Sequence, residues 1–304
     1  MTTAEHAPAV RPLAGVGWML LTGLLFVCVT AVVRYLGTDL PATESAFIRY
    51  AIGLVLVLPM MRPLLRRRPS RRVLGLYAAR GLVHGIGVIL WFYAMARVPI
   101  AEVTAIGYTA PIFVTIGAAM FLGERLHLRR IMAVLIAFIG TLVLLRPGFE
   151  TVSLGQLAQL AAAPLFAASY LLAKSLTDEE DPAVIVGMLS VVCTIVLLPG
   201  ALLDWQTPTG EEVFWLAMTA VFATAGHYTL TRAFRAAPIT VTQPVGYLQL
   251  VWAALIGMAA FGEPFDPYVF AGGGIIVGAA TYISHRELVA AKQPHTPPAV
   301  ATKT

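Results

Sequence analysis

The sequence predicts an all-α integral membrane protein in which ten transmembrane helices form two inverted five-helix repeats. Composition is the first observation behind this prediction. Hydrophobic residues make up 58% of the 304 residues, charged residues only 12%, and the mean hydropathy is +0.79. Soluble domains carry about 25% charged residues, so a soluble enzyme, a disordered protein and a nucleic-acid-binding module are poor interpretations. The second observation is an internal repeat, described below.

Ten apolar runs are candidate membrane spans, because a helix needs roughly 20 apolar residues to cross a hydrocarbon core about 30 Å thick. The fifth run is short, and the glycines at 272–274 weaken the tenth. The first run is too long for a cleavable signal peptide, and no A-x-A site follows it. The runs are 13–35, 42–61, 73–96, 102–122, 130–146, 155–176, 183–203, 211–232, 239–261 and 266–286.

The positions of Lys and Arg predict the orientation. If the amino terminus is cytoplasmic, sixteen of the 21 basic residues fall in cytoplasmic segments and three on the opposite side. Under the positive-inside rule, this bias predicts a multi-pass protein of a bacterial-type inner membrane with both termini in the cytoplasm. The basic segment 66–72 could instead bind anionic lipid or nucleic acid, but its juxtamembrane position favours a topological role.

The chain repeats itself at a constant shift. Residues 91–124 align without gaps to residues 230–263 at a shift of 139, and the Leu-Phe pairs at 25–26 and 165–166 match at a shift of 140. Because each unit holds five spans, the second unit crosses the membrane in the opposite sense. Inverted repeats allow outward-open and inward-open states around a site near the midplane. This symmetry favours a carrier over a membrane enzyme or a scaffold.

These features resemble the EamA repeats of the drug/metabolite transporter superfamily. The resemblance rests on the two five-helix repeats, on a proline near the start of each fourth helix and a Gly-Glu pair at its end, and on the basic residues Arg34, Lys174 and Arg49. It implies a central cavity lined mainly by the third, fourth, eighth and ninth helices. The chain divides into tails at 1–12 and 287–304 and repeats at 13–148 and 153–286.

Candidate cavity residues follow helical faces. Tyr77, Arg80, His84 and Trp91 are spaced three, four or seven residues apart in the third span, and the shift of 139 places His227 on a related face of the eighth span. Either histidine alone is explained as well by core packing, but the pair favours a cavity. In the fourth span and its repeat, Thr104 and Tyr108 correspond to Gln243 and Tyr247, and Pro111 and Pro244 are candidate hinges.

Arg49 lies inside the second span, where a guanidinium is costly unless it is paired or faces water. It could bind a substrate carboxylate or lock the fold by pairing with helix-end carbonyls, and the family pattern favours the locking role. Arg80 lies nearer the cytoplasmic face and could extend its charge to the interface. The predicted substrate-cavity residues are Arg49, Arg80, His84, Trp91, Thr104, Tyr108, His227, Gln243 and Tyr247.

The sequence carries no motif for catalysis or nucleotide hydrolysis. None of the 16 acidic residues falls in the middle of a span, which disfavours exchange of a drug cation for protons. We therefore predict a secondary transporter without a cofactor, metal or catalytic residue, whose partners are a small-molecule substrate and the lipid bilayer. Amino-acid export is the favoured function, especially for hydrophobic or aromatic side chains. The alternative is a carrier for a larger planar metabolite such as riboflavin or S-adenosylmethionine, acting as an importer.

Overall fold

A computed structural model describes residues 12–61, 69–110, 112–113, 128–146, 151–177, 179–236 and 245–292. Ten α-helices follow one another in these segments, and a 3₁₀ turn at Leu58–Met61 extends the second. The helices are α1 Pro12–Leu36, α2 Ala42–Val57, α3 Arg71–Met95, α4 Ile100–Gly107, α5 Leu128–Leu145, α6 Leu154–Thr177, α7 Pro182–Leu203, α8 Gly210–Ala236, α9 Gln249–Phe261 and α10 Pro267–Lys292.

Local sequence signals set several helix ends. The Ser70 hydroxyl accepts a hydrogen bond from the Val73 amide at the start of α3, and the Asp181 carboxylate accepts one from the Ala183 amide at the start of α7. Each bond satisfies an amide that the first helical turn leaves unpaired. At the end of α9, Gly262 adopts φ +63°, the left-handed conformation that glycine accepts without a steric penalty.

Five helices are long and apolar enough to cross a membrane: α1, α3, α6, α7 and α8. Among the described residues of the other helices, Val134–Leu145, Gln249–Phe261 and Pro267–Ala279 are shorter apolar stretches. Length and composition therefore support five of the ten predicted spans. Large apolar side chains, such as Phe138 on α5 and Ile195 on α7, are exposed on the bundle surface, as a lipid-facing surface requires.

Helix packing occurs mainly between the two repeats. The α1–α8 contact has its repeat equivalent in the α6–α3 contact. In three further contacts, a helix packs against its own repeat equivalent: α2 against α7, α4 against α9, and α5 against α10. Exchanging the repeats therefore returns the same set of helix pairs. This is the packing expected when two related units enclose one centre.

The pair of α5 and α10 shows why one glycine in the tenth run is needed. A Cβ atom added to Gly140 would lie 2.9 Å from the Gly272 carbonyl oxygen, and one added to Gly272 would lie 2.5 Å from the Gly140 carbonyl oxygen. The backbones meet too closely for any side chain at these positions, as small residues permit in membrane bundles. Gly272, one of the three glycines that weaken the tenth apolar run, is thus the residue at which α10 packs against α5.

The connections after odd-numbered helices lie at one end of the bundle, which we call the acid-rich face. It includes residues 37–41, 96–99, 204–209 and 262–266 and the adjoining helix ends. Contacts between the repeats bridge this face. The Tyr35 hydroxyl lies 3.0 Å from the Glu211 carboxylate, and the Arg146 guanidinium lies 2.6 Å from the Asp266 carboxylate. The Glu44 carboxylate accepts a hydrogen bond from the backbone amide of Gln206 at 2.9 Å. The side-chain amide of Gln156 donates a hydrogen bond to the Glu102 carboxylate.

Glu263 adds a further bridge at the acid-rich face. One carboxylate oxygen lies 3.0 Å from Nε of Arg34 at the end of α1, and the other accepts the backbone amide of Ile100 at 2.9 Å. In the sequence, Glu263 is distinguished only as part of a repeated Gly-Glu motif. The structure shows that its side chain also joins α1, α4 and the end of α9, so the face is closed by contacts from both repeats.

Candidate functional site

Two histidines and three aromatic side chains meet inside the bundle and form what we call the central ring cluster. The imidazoles of His84 and His227 have centroids 5.6 Å apart. Phe166 contacts His84 with centroids 5.2 Å apart, and Phe26 contacts His227 at the same separation. Tyr50 lies 6.3 Å from His84, and its ring is perpendicular to the imidazole. All of these pairs meet edge to face, a favourable geometry for aromatic rings.

The cluster lies at the middle depth of the bundle and draws on both repeats. Its members come from α1, α2, α3, α6 and α8, and Phe26, Tyr50, His84 and Phe166 lie close to the centres of their helices. Phe26 and Phe166 are equivalent at the shift of 140. Each therefore contacts the histidine of the opposite repeat, so the two halves contribute matching pairs of rings to one centre.

A serine orients the first histidine. Nδ1 of His84 lies 3.0 Å from the Ser169 hydroxyl on α6, and both side chains are buried. This hydrogen bond fixes the imidazole plane and links α3 to α6. Either atom can donate, because the direction of the bond depends on the tautomer of the ring.

Arg49 and Arg80 bring two guanidinium groups to the same region. The Arg49 guanidinium lies 4.1 Å from the Tyr50 ring centroid, a cation–π distance. Arg80 is only 5% exposed and donates from Nη1 to the Ile185 carbonyl on α7 at 3.1 Å. Arg80 is therefore covered by α7, and its contact there lies in the first turn of that helix. Arg80 lies one helical turn before His84 on α3, and Arg49 directly precedes Tyr50 on α2, so each guanidinium belongs to a residue next to a member of the ring cluster.

A second group of predicted cavity residues lies where α4 and α9 meet. Tyr108 and Tyr247 have ring centroids 5.1 Å apart, and the Tyr108 hydroxyl lies 3.3 Å from the Gly246 carbonyl oxygen. Thr104 is buried, and its hydroxyl donates to the Ile100 carbonyl of its own helix at 2.7 Å. The two tyrosines are repeat equivalents, so they meet where the two halves join. Their described ring contact is with each other and does not involve the central ring cluster.

Of the remaining predicted residues, Trp91 has no described ring contact with the central ring cluster. Trp91 packs against Phe92 with centroids 5.3 Å apart, and among the described contacts its ring does not touch either histidine. Gln243 and the two candidate hinges, Pro111 and Pro244, lie outside the described residues.

Three ring residues of the cluster, and the serine that bonds to His84, were not predicted from the sequence. The matching Leu-Phe pairs in the two repeats were a signal for Phe26 and Phe166, because equivalent residues of an inverted repeat approach the same axis. Tyr50 follows Arg49 directly and was not distinguished from its apolar neighbours. Nothing in the sequence pattern marks Ser169, whose role depends on the approach of α6 to α3.

The central ring cluster offers aromatic rings and imidazole nitrogens for contacts with a solute. Ring faces and edges provide surfaces for stacking, and the imidazole nitrogens provide hydrogen bonds. Within the described ranges, no three His, Cys, Asp or Glu side chains are placed to bind a metal ion. Binding and release of a solute is the chemistry that these side chains support.

Comparison with known proteins places this site in a family context. The model of the EamA-like transporter family matches residues 13–146 and 153–285. A riboflavin transporter of Vibrio cholerae is 33% identical over 282 residues, which cover 91% of this chain and 95% of that protein. An S-adenosylmethionine uptake transporter of Rickettsia felis is 30% identical over 291 residues, covering 93% and 96% of the two chains.

Two further comparisons extend this picture. The pseudopaline exporter CntI of Pseudomonas aeruginosa is 29% identical over 273 residues, covering 89% of this chain and 96% of that protein. A solved structure titled only as the crystal structure of a protein matches with a TM-score of 0.59 and 18% identity, and covers 90% of this chain and 97% of that one. At this identity, the structural match supports the fold alone.

Proposed function

We propose that this chain, which belongs to the EamA-like transporter family, takes up a planar heteroaromatic metabolite of the riboflavin or S-adenosylmethionine class. As a member of that family, it is a transporter and not an enzyme. The observation that carries the proposal is the central ring cluster, in which rings from five helices and both repeats meet at the middle of the bundle.

Stacking explains why such a cluster suits a flat heterocycle. Stacking of a nucleic-acid base on an aromatic side chain contributes about 1–3 kcal/mol by alanine substitution, and flavin and adenine rings present the same kind of π surface. In the cluster, the rings meet edge to face, and a movement that separates the repeats would expose ring faces that a heterocycle can cover. The imidazoles of His84 and His227 add nitrogen atoms that can bond to heterocycle edges.

The named relatives support this alternative more than the amino-acid export favoured by the sequence analysis. Two of them are named for riboflavin and for S-adenosylmethionine uptake, both of which contain planar ring systems. The third is named as an exporter of pseudopaline. Export of aromatic amino acids remains the rival function, because an aromatic side chain would use the same rings.

Alternating access supplies the transport mechanism. In the described conformation, six contacts between the repeats bridge the acid-rich face, and the two Glu263 contacts are among them. Opening the ring cluster to that side requires these contacts to separate. Because equivalent helices pack on one another, rocking one repeat against the other would open one face while closing the opposite one.

Flux into proteoliposomes that contain the full-length protein tests the proposal. Labelled riboflavin, S-adenosylmethionine, phenylalanine and tryptophan are supplied in parallel, with empty vesicles as the baseline. We expect riboflavin or S-adenosylmethionine to accumulate above the baseline, and we expect Phe166→Ala to lower this flux about tenfold, as loss of one stacking face implies. Phe138→Ala removes an exposed phenyl group from α5 and should keep the wild-type rate.

Two outcomes contradict the proposal. Flux of amino acids without flux of either planar metabolite would assign the protein to the rival function. If every compound enters only at the rate of empty vesicles, with the protein inserted in either orientation, the proposed transport function is wrong. Size-exclusion profiles of the two phenylalanine variants show whether a lower flux reflects loss of the folded protein, and Phe166→Leu provides a variant that retains apolar volume.

A further inference from the structure

Two buried guanidinium groups lie beside the central ring cluster without an acidic partner. Arg49 is 7% exposed and Arg80 is 5% exposed. Within the part of the chain that the structure describes, no carboxylate forms an ion pair with either side chain. The Nε atoms of both arginines are buried and have no hydrogen-bond acceptor among the described residues.

An uncompensated charge at this depth is costly. A charged side chain at the centre of a membrane helix is unfavourable unless it is paired, and two like charges that share a region repel each other. Glu44 is a buried carboxylate on the helix that carries Arg49, but it lies in the first turn of α2. One of its oxygens accepts the Gln206 amide at the acid-rich face.

The contacts of the two arginines orient them without neutralising them. Arg80 is anchored through Nη1 on the Ile185 carbonyl, and the Arg49 guanidinium lies against the Tyr50 ring. In each group the Nε–H remains available, and an Nε–H with a neighbouring Nη–H forms the fork that binds a carboxylate or phosphate through two hydrogen bonds. Because Tyr50 also belongs to the ring cluster, the free donors lie next to the surface proposed to bind the heterocycle.

We infer that Arg49 and Arg80 form an anion-binding subsite that selects substrates in which an acidic group is attached to the planar ring. This inference rests on the proposed function, since the ring cluster holds the other end of the same molecule. The acidic group, a carboxylate or a phosphate, supplies the negative charge that the described protein residues do not. A lipophilic cation that carries no acidic group would meet two like charges at this position and would be rejected.

The inference differs from the locking role that the family pattern suggested for Arg49. A locking arginine would bond to helix-end carbonyls, and its loss would leave those acceptors unpaired and lower stability. Within the described structure, Arg49 makes no such bond. Its removal should therefore weaken binding of an acidic substrate and leave the ligand-free protein as stable as before, or more stable.

Three flavins with one ring system and different tails test the subsite on the full-length protein. Riboflavin has a neutral ribityl tail, 10-carboxymethylflavin carries a carboxylate, and flavin mononucleotide carries a phosphate. Binding is measured by flavin fluorescence. We expect the wild type to bind at least one acidic flavin about tenfold more tightly than riboflavin, because hydrogen bonds to charged groups contribute about 1.5–3 kcal/mol. The two acidic arms show whether the subsite prefers carboxylate or phosphate.

Substitution assigns the preference to the two arginines. In Arg49→Gln and Arg80→Gln we expect the affinity ratio of acidic to neutral flavin to fall to about one, while Arg49→Lys should keep part of it. Arg97→Gln, which alters an exposed arginine on the acid-rich face, should retain the wild-type ratio. Melting temperatures of the ligand-free proteins are measured in parallel, and we expect Arg49→Gln to be no less stable than the wild type.

The outcomes that overturn the inference differ from those that overturn the proposed function. Equal affinity of the wild type for all three flavins removes the anion subsite and leaves the planar-ring proposal intact. The anion subsite is also ruled out if the preference for acidic flavins survives in both glutamine variants. It is likewise ruled out if Arg49→Gln has a lower melting temperature and an unchanged preference for acidic flavins. If no flavin binds and the flux assay finds no planar substrate, the proposed function is wrong and the inference fails with it.

Discussion

At the scale of single residues, Glu263 shows how one side chain can hold several helices together. Its carboxylate is largely buried and is shared between the Arg34 guanidinium and the Ile100 amide. The repeat shift relates these residues to Glu124, Lys174 and Ile239, of which Glu124 and Ile239 lie outside the described residues. The glutamate of the repeated Gly-Glu motif therefore also connects the two halves.

Glu263→Gln should destabilise the described conformation. The amide keeps the size of the side chain and one acceptor, but it cannot form the ion pair with Arg34. Because the Arg34 side chain is partly exposed, we expect a loss of only about 1–2 kcal/mol, measured as a lower apparent melting temperature. Asp39→Asn, at an exposed position of the same face, should change the melting temperature little, and equal effects of the two substitutions would contradict the bridging role.

The residues of the site were partly predictable. His84, His227 and Arg49 stand out in the sequence, because polar side chains inside apolar spans are rare and face interiors, and the structure brings them together. Trp91 was predicted with them, but its described ring contact is with Phe92. Phe26 and Phe166 look like ordinary apolar residues, and only their contacts with the histidines distinguish them.

At the scale of elements, close backbone approach decides which helices pair. The α5 and α10 backbones meet at Gly140 and Gly272, where an added Cβ would press against a carbonyl oxygen. Gly274 lies on the same α10, and a Cβ there would meet no atom within 4 Å. Two glycines only two residues apart in one helix are thus expected to respond differently to the same substitution.

Gly140→Ala should lower stability by about 1–3 kcal/mol, the range seen when a packed contact is overfilled. Gly274→Ala should be neutral or slightly stabilising, because alanine is the better helix former and the position is open. Thermal unfolding of the two purified variants in one detergent measures the difference. If Gly140→Ala is as stable as Gly274→Ala, the α5–α10 contact is not as close as described.

At the scale of the whole molecule, the two repeats are interlocked rather than side by side. The principal helix pairs join one repeat to the other, and the contacts that bridge the acid-rich face do the same. Relative motion of the halves therefore changes the centre and the acid-rich face together. This coupling is what alternating access around the ring cluster requires.

The orientation of the bundle is predicted from charge and can be measured by reporter fusions. We expect alkaline phosphatase to be active when fused after residue 38 or after residue 206, because both connections belong to the acid-rich face and should lie outside the cytoplasm. A fluorescent protein at the carboxyl terminus should fold in the cytoplasm. Phosphatase activity at the carboxyl terminus would place the tails on different sides and contradict the inverted repeat.

The sequence by itself determined the membrane class, the twofold repeat and the resemblance to a transporter family. These properties are local or periodic: hydropathy follows from composition, and the repeat is visible when the chain is aligned with itself. Tertiary structure decided which faces meet, that Arg80 is buried beneath α7, and that Phe26 and Phe166 contact histidines of the opposite repeats. The physical reason is that a helix apolar on all sides gives little amphipathic signal of its inward face, so only packing between distant segments assigns it.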